Sequence, residues 1–110
     1  MTDLDTAAAR LEALGNPTRL RIYRTLVRAG EEGLAVGQVQ ERLAIAASTL
    51  SHHLHRLLIA GLVEQERRGT TLVCTASYSA MHGLVGFLVD ECCADATCAE
   101  DAAPARKTGA

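Results

Sequence analysis

Three cysteines near the carboxyl end, Cys92, Cys93 and Cys98, stand in the run ECCADATC. An adjacent pair with a third thiol close by is a poor disulfide framework, but thiolate sulfurs favour soft metal ions. Trivalent arsenic or antimony takes three sulfurs and keeps a lone pair, whereas a structural zinc ion takes four ligands. The three thiols therefore predict a site for As(III) or Sb(III), and no zinc is expected.

The spacing of these thiols limits how they can bind one ion. Adjacent residues on an α-helix point about 100° apart. Cys92 and Cys93 can therefore converge only where the helix frays or ends. The residues from 94 to 97 are small or polar and could fold back to bring Cys98 within reach.

A second chemical feature is the segment STLSHHLHRLLIAGLVEQERRGTT, which is typical of a DNA-reading helix followed by a basic hairpin. On a helical wheel, Leu50, Leu54, Leu57 and Leu58 share one side with Ala46 and Ala47. The opposite side carries short polar and cationic groups, as a helix in the major groove requires. We predict DNA contacts from Ser48, Thr49, Ser51, His52, His55 and Arg56. His52 lies at the centre of this polar side, whereas His53 lies beside the leucines and is predicted to pack.

The tip of the following hairpin carries Arg67 and Arg68 next to Gly69. Two guanidinium groups on a narrow turn could enter a minor groove or lie along phosphates. An amphipathic surface helix beside an exposed turn is the simpler alternative. The short helix before the segment and the basic hairpin after it favour DNA binding.

The elements that must position these groups can be read from periodicity and caps. Four helices precede the hairpin and one follows it, which predicts a mainly α fold with a small β-hairpin, a winged helix-turn-helix. We expect residues 1–98 to form this domain and residues 99–110 a disordered tail. The predicted helices cover 4–14, Pro17 to about Ala29 with Asn16 as N-cap, about Ala35 to Leu43, a helix ending near Ala60, and a Ser79-capped helix to about Cys93. The strands cover Leu62–Arg67 and Thr71–Ala76, and Gly30–Gly33 is a loop.

Length and charge agree with this fold. The 110 residues suit one domain, and their net charge of −2 at first argues against nucleic acid. From Leu14 to Val73, however, the chain has eight arginines and five carboxylates. Its positive charge is therefore concentrated in the segment where DNA would bind. The amino terminus has no secretory signal pattern, and the run GLVGFLV is too short to span a membrane. The sequence predicts a cytoplasmic protein with reduced cysteines.

The runs LEALGNPTRLRIYRTL and STLSHHLHRLLIAGLVEQERRGTT resemble the ArsR/SmtB family of bacterial metalloregulatory repressors over about residues 7–93. The resemblance implies a homodimer, joined by the first and last helices, that binds operator DNA until an inducer releases it. It implies no enzymatic activity. One departure is Leu72-Val73-Cys74, where the family often has tyrosines.

The family senses inducers at several places, and two of them do not fit this chain. Cysteines in the short helix before the reading helix are absent from LAVGQVQERL. Zinc ligands along the last helix are too few, since only His82, Asp90 and Glu91 are present. The remaining arrangement resembles arsenic repressors with thiols at the end of the last helix. This implies As(III), Sb(III) or methylated arsenite as the inducer.

Other interpretations of the cysteines stay open. Two of the three thiols would suffice for a redox or persulfide switch, and cadmium or lead could replace arsenic. The thiols could also be unselected residues of a loose tail, or the fold could serve as a scaffold without DNA. An enzyme of the arsenate reductase type would need an arginine six residues after its reactive cysteine. The positions six residues after Cys92 and Cys93 are cysteine and alanine, so this interpretation is not supported. Cys74 is predicted to be a small buried hydrophobe, and His82 a surface or interface residue.

Overall fold

The computed structural model describes residues 2–96, so the predicted tail at 99–110 lies outside the described residues. The described chain forms α1 (Leu4–Leu14), α2 (Pro17–Ala29), a 3₁₀ turn (Gly30–Glu32), β1 (Leu34–Ala35), α3 (Val36–Leu43), α4 (Ala47–Ile59), β2 (Val63–Arg68), β3 (Thr71–Ala76) and α5 (Tyr78–Val89). This order confirms the predicted winged helix-turn-helix. None of the described helices is long and apolar enough to cross a membrane.

Local capping explains where the helices begin. Asn16 accepts a hydrogen bond from the Arg19 amide at 3.0 Å and Pro17 occupies the first turn, as predicted. The last helix is capped by Ser77, which accepts from the Ala80 amide at 3.3 Å, so the prediction of Ser79 as its cap is wrong. Ser77 has the extended backbone that an N-cap needs, whereas Ser79 already lies within the helix.

The sheet contains one strand that the sequence did not predict. The short β1 pairs with β3, in register Leu34 to Cys74, and the strand order is β1-β3-β2. Gly33 has a φ of +71°, and a Cβ there would overlap the Cys74 carbonyl oxygen. Glycine is therefore needed where the chain enters β1. The predicted loop at 30–33 contains the 3₁₀ turn.

The hairpin differs from its prediction by one residue at each of two places. β2 begins at Val63 and not at Leu62, and it extends to Arg68. The turn is therefore Gly69-Thr70 alone, with a φ of +66° at Gly69. Leu62 lies before the strand and is fully buried in the core. It follows Gly61, whose φ of +77° confirms the predicted left-handed residue at the end of α4.

The core lies between α2, α4 and the sheet. Leu50, Leu54 and Leu57 of α4 are buried as predicted. Ala46 and Ala47 are exposed, because they stand at the start of α4, before its packed turns. On α2 the buried side chains are Arg19, Ile22, Tyr23 and Leu26, which follow helical spacing. Helical spacing also predicts Leu20 on the inward face with Tyr23 and Leu26, but Leu20 is 41% exposed, so this prediction is wrong.

The last helix ends at Val89, four residues before the predicted end at Cys93. Asp90 and Glu91 follow, and negative charge at a helix carboxyl terminus is unfavourable because the helix dipole is negative there. Cys93 has a φ of +61°, in the left-handed region. Both cysteines of the adjacent pair therefore lie in a turn.

Candidate nucleic-acid interface and thiol site

The outward side of α4 carries most of the predicted DNA-binding residues. Ser48, Thr49, Ser51, His52 and His55 are all exposed. Arg56 is half-buried and lines a cleft of about 120 Å³ against α1, together with Glu12 and Ile59. The structure therefore places short hydrogen-bonding side chains along the exposed side of α4, from its start to its middle. The contacts of these side chains with DNA stay predictions.

His53 packs inward, as its position on the wheel predicted. Its Nδ1 lies 3.5 Å from Arg19 Nη1, and the ring is half-buried. Burial lowers the pKa of His53, and the cations of Arg19, His52 and Arg56 lower it further. The neutral ring can then accept a hydrogen bond from Arg19 through Nδ1.

This lowered pKa of His53 makes stability depend on pH. The folded chain binds the proton less readily than the unfolded chain, so stability is full above the unfolded pKa of about 6.5 and falls as the pH drops below it. We expect the melting temperature to fall between about pH 7.5 and about pH 5.5, and to fall less in His53→Gln, by circular dichroism. His55→Gln, at an exposed ring that is not among these cations, should keep the wild-type pH dependence. An unchanged pH dependence in His53→Gln would contradict this role.

The two arginines of the predicted hairpin tip differ in their surroundings. Both are exposed residues at the end of β2. Arg68 Nη2 forms an ion pair with Glu66 Oε1 at 2.9 Å, and its Nε donates to the same oxygen at 3.0 Å. Arg67 points to the other side of the strand, since successive side chains alternate. Glu66 therefore offsets the charge of Arg68, and Arg67 is the stronger candidate for a phosphate contact.

We expect Arg67→Ala to weaken DNA binding more than Arg68→Ala. Loss of one phosphate contact should reduce the slope of log affinity against log salt by about 1 for Arg67→Ala, and by less for Arg68→Ala. Fluorescence anisotropy over a salt series measures both slopes. Glu66→Gln is the matched control, and it should strengthen binding by freeing Arg68. Equal slopes for the two alanine variants would contradict the assigned difference.

The thiols at the end of α5 are only partly within the described residues. Cys92 Sγ and Cys93 Sγ lie 3.7 Å apart, and Cys98 lies outside residues 2–96. Two sulfurs that each bind one ion at about 2.3 Å are at most about 4.6 Å apart, so this pair is within reach of a single ion. No group of three His, Cys, Asp or Glu side chains within residues 2–96 is arranged to hold a metal ion.

Cys74 is separate from these thiols and fully buried, which confirms its prediction as a small core residue. Gln65 Nε2 donates to Cys74 Sγ at 3.3 Å. The pKa of the Cys74 thiol is raised, because the effect of burial exceeds the opposing effect of the hydrogen bond from Gln65. The thiol is therefore unreactive at neutral pH. His82 is exposed on α5, as predicted.

The structure also shows a surface that sequence reasoning did not separate from the core. Helical spacing on the last helix predicts one broad apolar stripe, formed by Met81, Leu84, Val85, Leu88, Val89 and Cys92. Of these side chains only Leu84 is buried, and Val85, Leu88 and Val89 are exposed. The first helix also exposes large apolar side chains. The exposed apolar residues of these two helices are Leu4, Leu11, Val85, Leu88 and Val89, here called the α1/α5 apolar surface. The signal for them was the width of the stripe, which exceeds what one neighbouring helix can cover.

Comparison with known proteins gives the fold a context. A sequence profile for a helix-turn-helix domain matches residues 14–66. "Nodulation protein NolR" of Rhizobium meliloti is 35% identical over 88 residues, which cover 80% of this chain and 70% of that protein. The "Putative arsenical resistance operon repressor ArsR" of Halobacterium salinarum is 41% identical over 66 residues, which cover 60% of this chain and 50% of that protein.

Among solved structures, this chain is similar to the homodimeric winged helix-turn-helix DNA-binding domain of Mb0332 from Mycobacterium bovis. The two share a TM-score of 0.65 and 31% identity, covering 80% of this chain and 82% of that chain. These similarities confirm the predicted fold. They also confirm that the chain is a DNA-binding transcriptional regulator and not an enzyme.

Proposed function

The chain belongs to the ArsR family of winged helix-turn-helix transcriptional regulators, and from that premise we propose that it is an arsenic-responsive repressor. As a homodimer it binds an inverted-repeat operator. It leaves that operator when trivalent arsenic binds Cys92, Cys93 and Cys98. Antimony(III) and methylated arsenite are the other inducers of the same chemistry.

The homodimer is supported by the α1/α5 apolar surface. Leu4 is 69% exposed and Leu88 is 59% exposed in the single chain. These exposed leucines and valines lie on two helices that contact each other. Large exposed apolar areas on soluble proteins mark interaction sites, and a two-fold dimer covers the same area on both copies. The solved DNA-binding domain of Mb0332 is a homodimer, which is consistent with a dimer of this chain.

The operator geometry follows from the dimer. Each copy presents one α4, and two-fold symmetry places the two recognition helices in successive major grooves about 34 Å apart. The exposed serine, threonine and histidine side chains of α4 then meet base edges, while Arg67 meets phosphates. A change in the distance or angle between the two α4 helices lowers affinity without any change in the contacting residues.

The single observation that carries the inducer proposal is the 3.7 Å approach of the Cys92 and Cys93 sulfurs in the turn after α5. Reduced thiolates so close together suit one soft ion, and a third sulfur completes the three ligands that As(III) takes. Ion binding draws the segment from Cys92 to Cys98 onto the end of α5. Because α5 carries three of the five residues of the α1/α5 apolar surface, this distortion changes the dimer and hence the spacing of the α4 helices.

The test is an anisotropy assay on an inverted-repeat duplex that the purified protein selects from a random library. Binding is measured at two salt concentrations in a non-thiol reductant, and then with arsenite, antimonite, cadmium, lead and zinc separately. We expect arsenite to lower operator affinity by about 5- to 150-fold, the usual range of such coupling. Zinc should have little effect, and the absence of any selected duplex would exclude a repressor.

A redox switch is the second candidate, because it needs only two neighbouring thiols and the Cys92 and Cys93 sulfurs lie 3.7 Å apart. An oxidant arm in the same assay separates the two candidates. Release by the oxidant without release by arsenite would support the redox switch. Release by cadmium or lead alone would retain the thiol site but change its ion.

A further inference from the structure

We infer that Arg10 and Arg19 are positioning residues that fix the angle of the recognition helix α4 relative to the dimerisation helix α1. This inference deepens the proposed function and rests on it, because it concerns how the dimer sets the distance between its two α4 helices. Neither side chain belongs to the predicted DNA contacts. Each acts through a backbone carbonyl at a helix end.

Arg19 supplies a hydrogen bond that α1 cannot make for itself. The Ala13 carbonyl would normally accept from the amide of residue 17, but residue 17 is proline and has no N–H. Arg19 Nε donates to this carbonyl at 2.6 Å, and the arginine is only 9% exposed. Its Nη1 approaches His53 Nδ1 on α4 at 3.5 Å. One guanidinium thus joins the end of α1 to the middle of α4.

The ion pairs of the described residues do not include Arg19. A buried guanidinium is unfavourable unless its donors are used, so the two contacts of Arg19 are what stabilise it there. Movement of α4 away from α1 is therefore unfavourable, because it would leave the buried charge of Arg19 with fewer hydrogen bonds. Arg19 therefore resists changes in the angle between the two helices.

Arg10 makes a second link, at the other end of α4. Ala60 is the C-cap of α4, so its carbonyl accepts no hydrogen bond within the helix. Arg10 Nε, on α1, donates to the Ala60 carbonyl at 2.9 Å. The two arginines therefore hold α4 at its middle and at its carboxyl end, and both connect it to α1.

α1 in turn contacts α5, the helix that leads to the thiols. A Cβ at Gly83 would lie 2.6 Å from Thr2 Oγ1, so the segment that leads into α1 packs directly against the backbone of α5. A movement of α5 reaches α1 through this contact and through the shared α1/α5 apolar surface. Arg10 and Arg19 then pass it to α4. The described residues thus provide a path of contacts from Gly83 of α5, through α1, to the DNA-reading helix α4.

Loosening this path should make the dimer tolerant of wrong operator spacing. The experiment compares anisotropy Kd values for the selected inverted repeat and for versions with one base pair added or removed between the half-sites. One base pair shifts a half-site by about 3.4 Å, and we expect wild type to bind the altered duplexes at least about tenfold more weakly. In Arg10→Met and Arg19→Met this ratio should fall to about threefold or less.

The controls separate positioning from charge and from folding. Arg24→Met removes the same charge from an exposed position of α2 and should keep the wild-type spacing ratio. Arg10→Lys should restore the ratio, because one ammonium can make the single bond to Ala60. Arg19→Lys should not restore it, because two partners need the guanidinium fork. Thermal unfolding identifies variants that do not fold, and Arg10→Met remains decisive should Arg19→Met fail.

A wild-type spacing ratio in folded Arg10→Met would overturn the inference. So would a reduced ratio that Arg24→Met shares. These outcomes leave the proposed repressor intact, provided that wild type binds the selected duplex and arsenite releases it. A wild type that selects no duplex removes both the proposed function and this inference.

Discussion

Cys92→Ser is expected to abolish release by arsenite and to leave operator affinity within about twofold of wild type. Serine keeps the size of the side chain but lacks the soft sulfur that the ion requires. The turn after α5 lies outside α4 and the hairpin, so the DNA-reading surface should be unchanged. Cys93→Ser and Cys98→Ser should behave in the same way, because the proposed site needs all three sulfurs.

The measurement is a titration of arsenite against protein bound to a labelled operator, in a non-thiol reductant. Wild type should lose about 5- to 150-fold in affinity, and each of the three serine variants less than about twofold. Cys74→Ser is the matched control. Its thiol is fully buried beneath Gln65, so this variant should keep normal release and lose only stability.

The pattern among the variants distinguishes the remaining possibilities. Normal release in Cys98→Ser alone would exclude a three-sulfur site and would indicate a two-thiol site at Cys92 and Cys93. Normal release in all three variants would exclude the thiols as the sensor. Arsenite bound stoichiometrically to the wild type without release would exclude the coupling between the thiols and α4.

Leu88→Glu should convert the dimer to monomers and remove operator binding. The residue is 59% exposed on α5 and is part of the α1/α5 apolar surface. Two-fold symmetry places the substitution in the interface twice. Each copy loses the burial of a leucine, worth about 1.5–3 kcal/mol, and would have to desolvate a carboxylate at a cost of several kcal/mol. A combined loss of more than about 5 kcal/mol raises the dimer Kd by over about 1000-fold.

Sedimentation velocity over a range of concentrations measures the dimer Kd, and anisotropy measures the operator affinity that depends on it. Leu20→Glu is the control, since Leu20 is an exposed leucine of α2 outside the α1/α5 apolar surface. It should stay dimeric and bind the operator. A dimeric Leu88→Glu that binds DNA like wild type would show that the copies meet elsewhere.

Much of this fold could be predicted because its signals are local. Asn16 and Pro17 determine the start of α2 through hydrogen bonding and a restricted backbone, which depend on neighbours in the chain. The apolar spacing of α4 likewise determines that Leu50, Leu54 and Leu57 face inward and that His52 faces out. The cap at Ser77 was missed because both it and Ser79 are serines, and only the backbone geometry distinguishes them.

The candidate site, like the fold, could be predicted from the sequence only in part. Residue types identified the polar side of α4 and the adjacent thiols. Sequence reasoning did not detect the ion pair that ties Arg68 to Glu66, although the two residues are only two apart on one strand. It also placed Cys93 within a helix, whereas the left-handed turn there brings the two sulfurs to 3.7 Å.

The sequence by itself determined the order of the five helices and the hairpin, the outward side of α4 and the position of the adjacent cysteines after the last helix. These depend on caps, periodicity and residue type, all of which act over a few residues. Only the tertiary structure decided that Leu34 pairs with Cys74, that Arg19 is buried between Ala13 and His53, and that Val85 and Leu88 lack cover in a single chain. Those outcomes depend on which distant segments meet, because burial and unpaired carbonyls are defined only once the helices and the sheet have packed together.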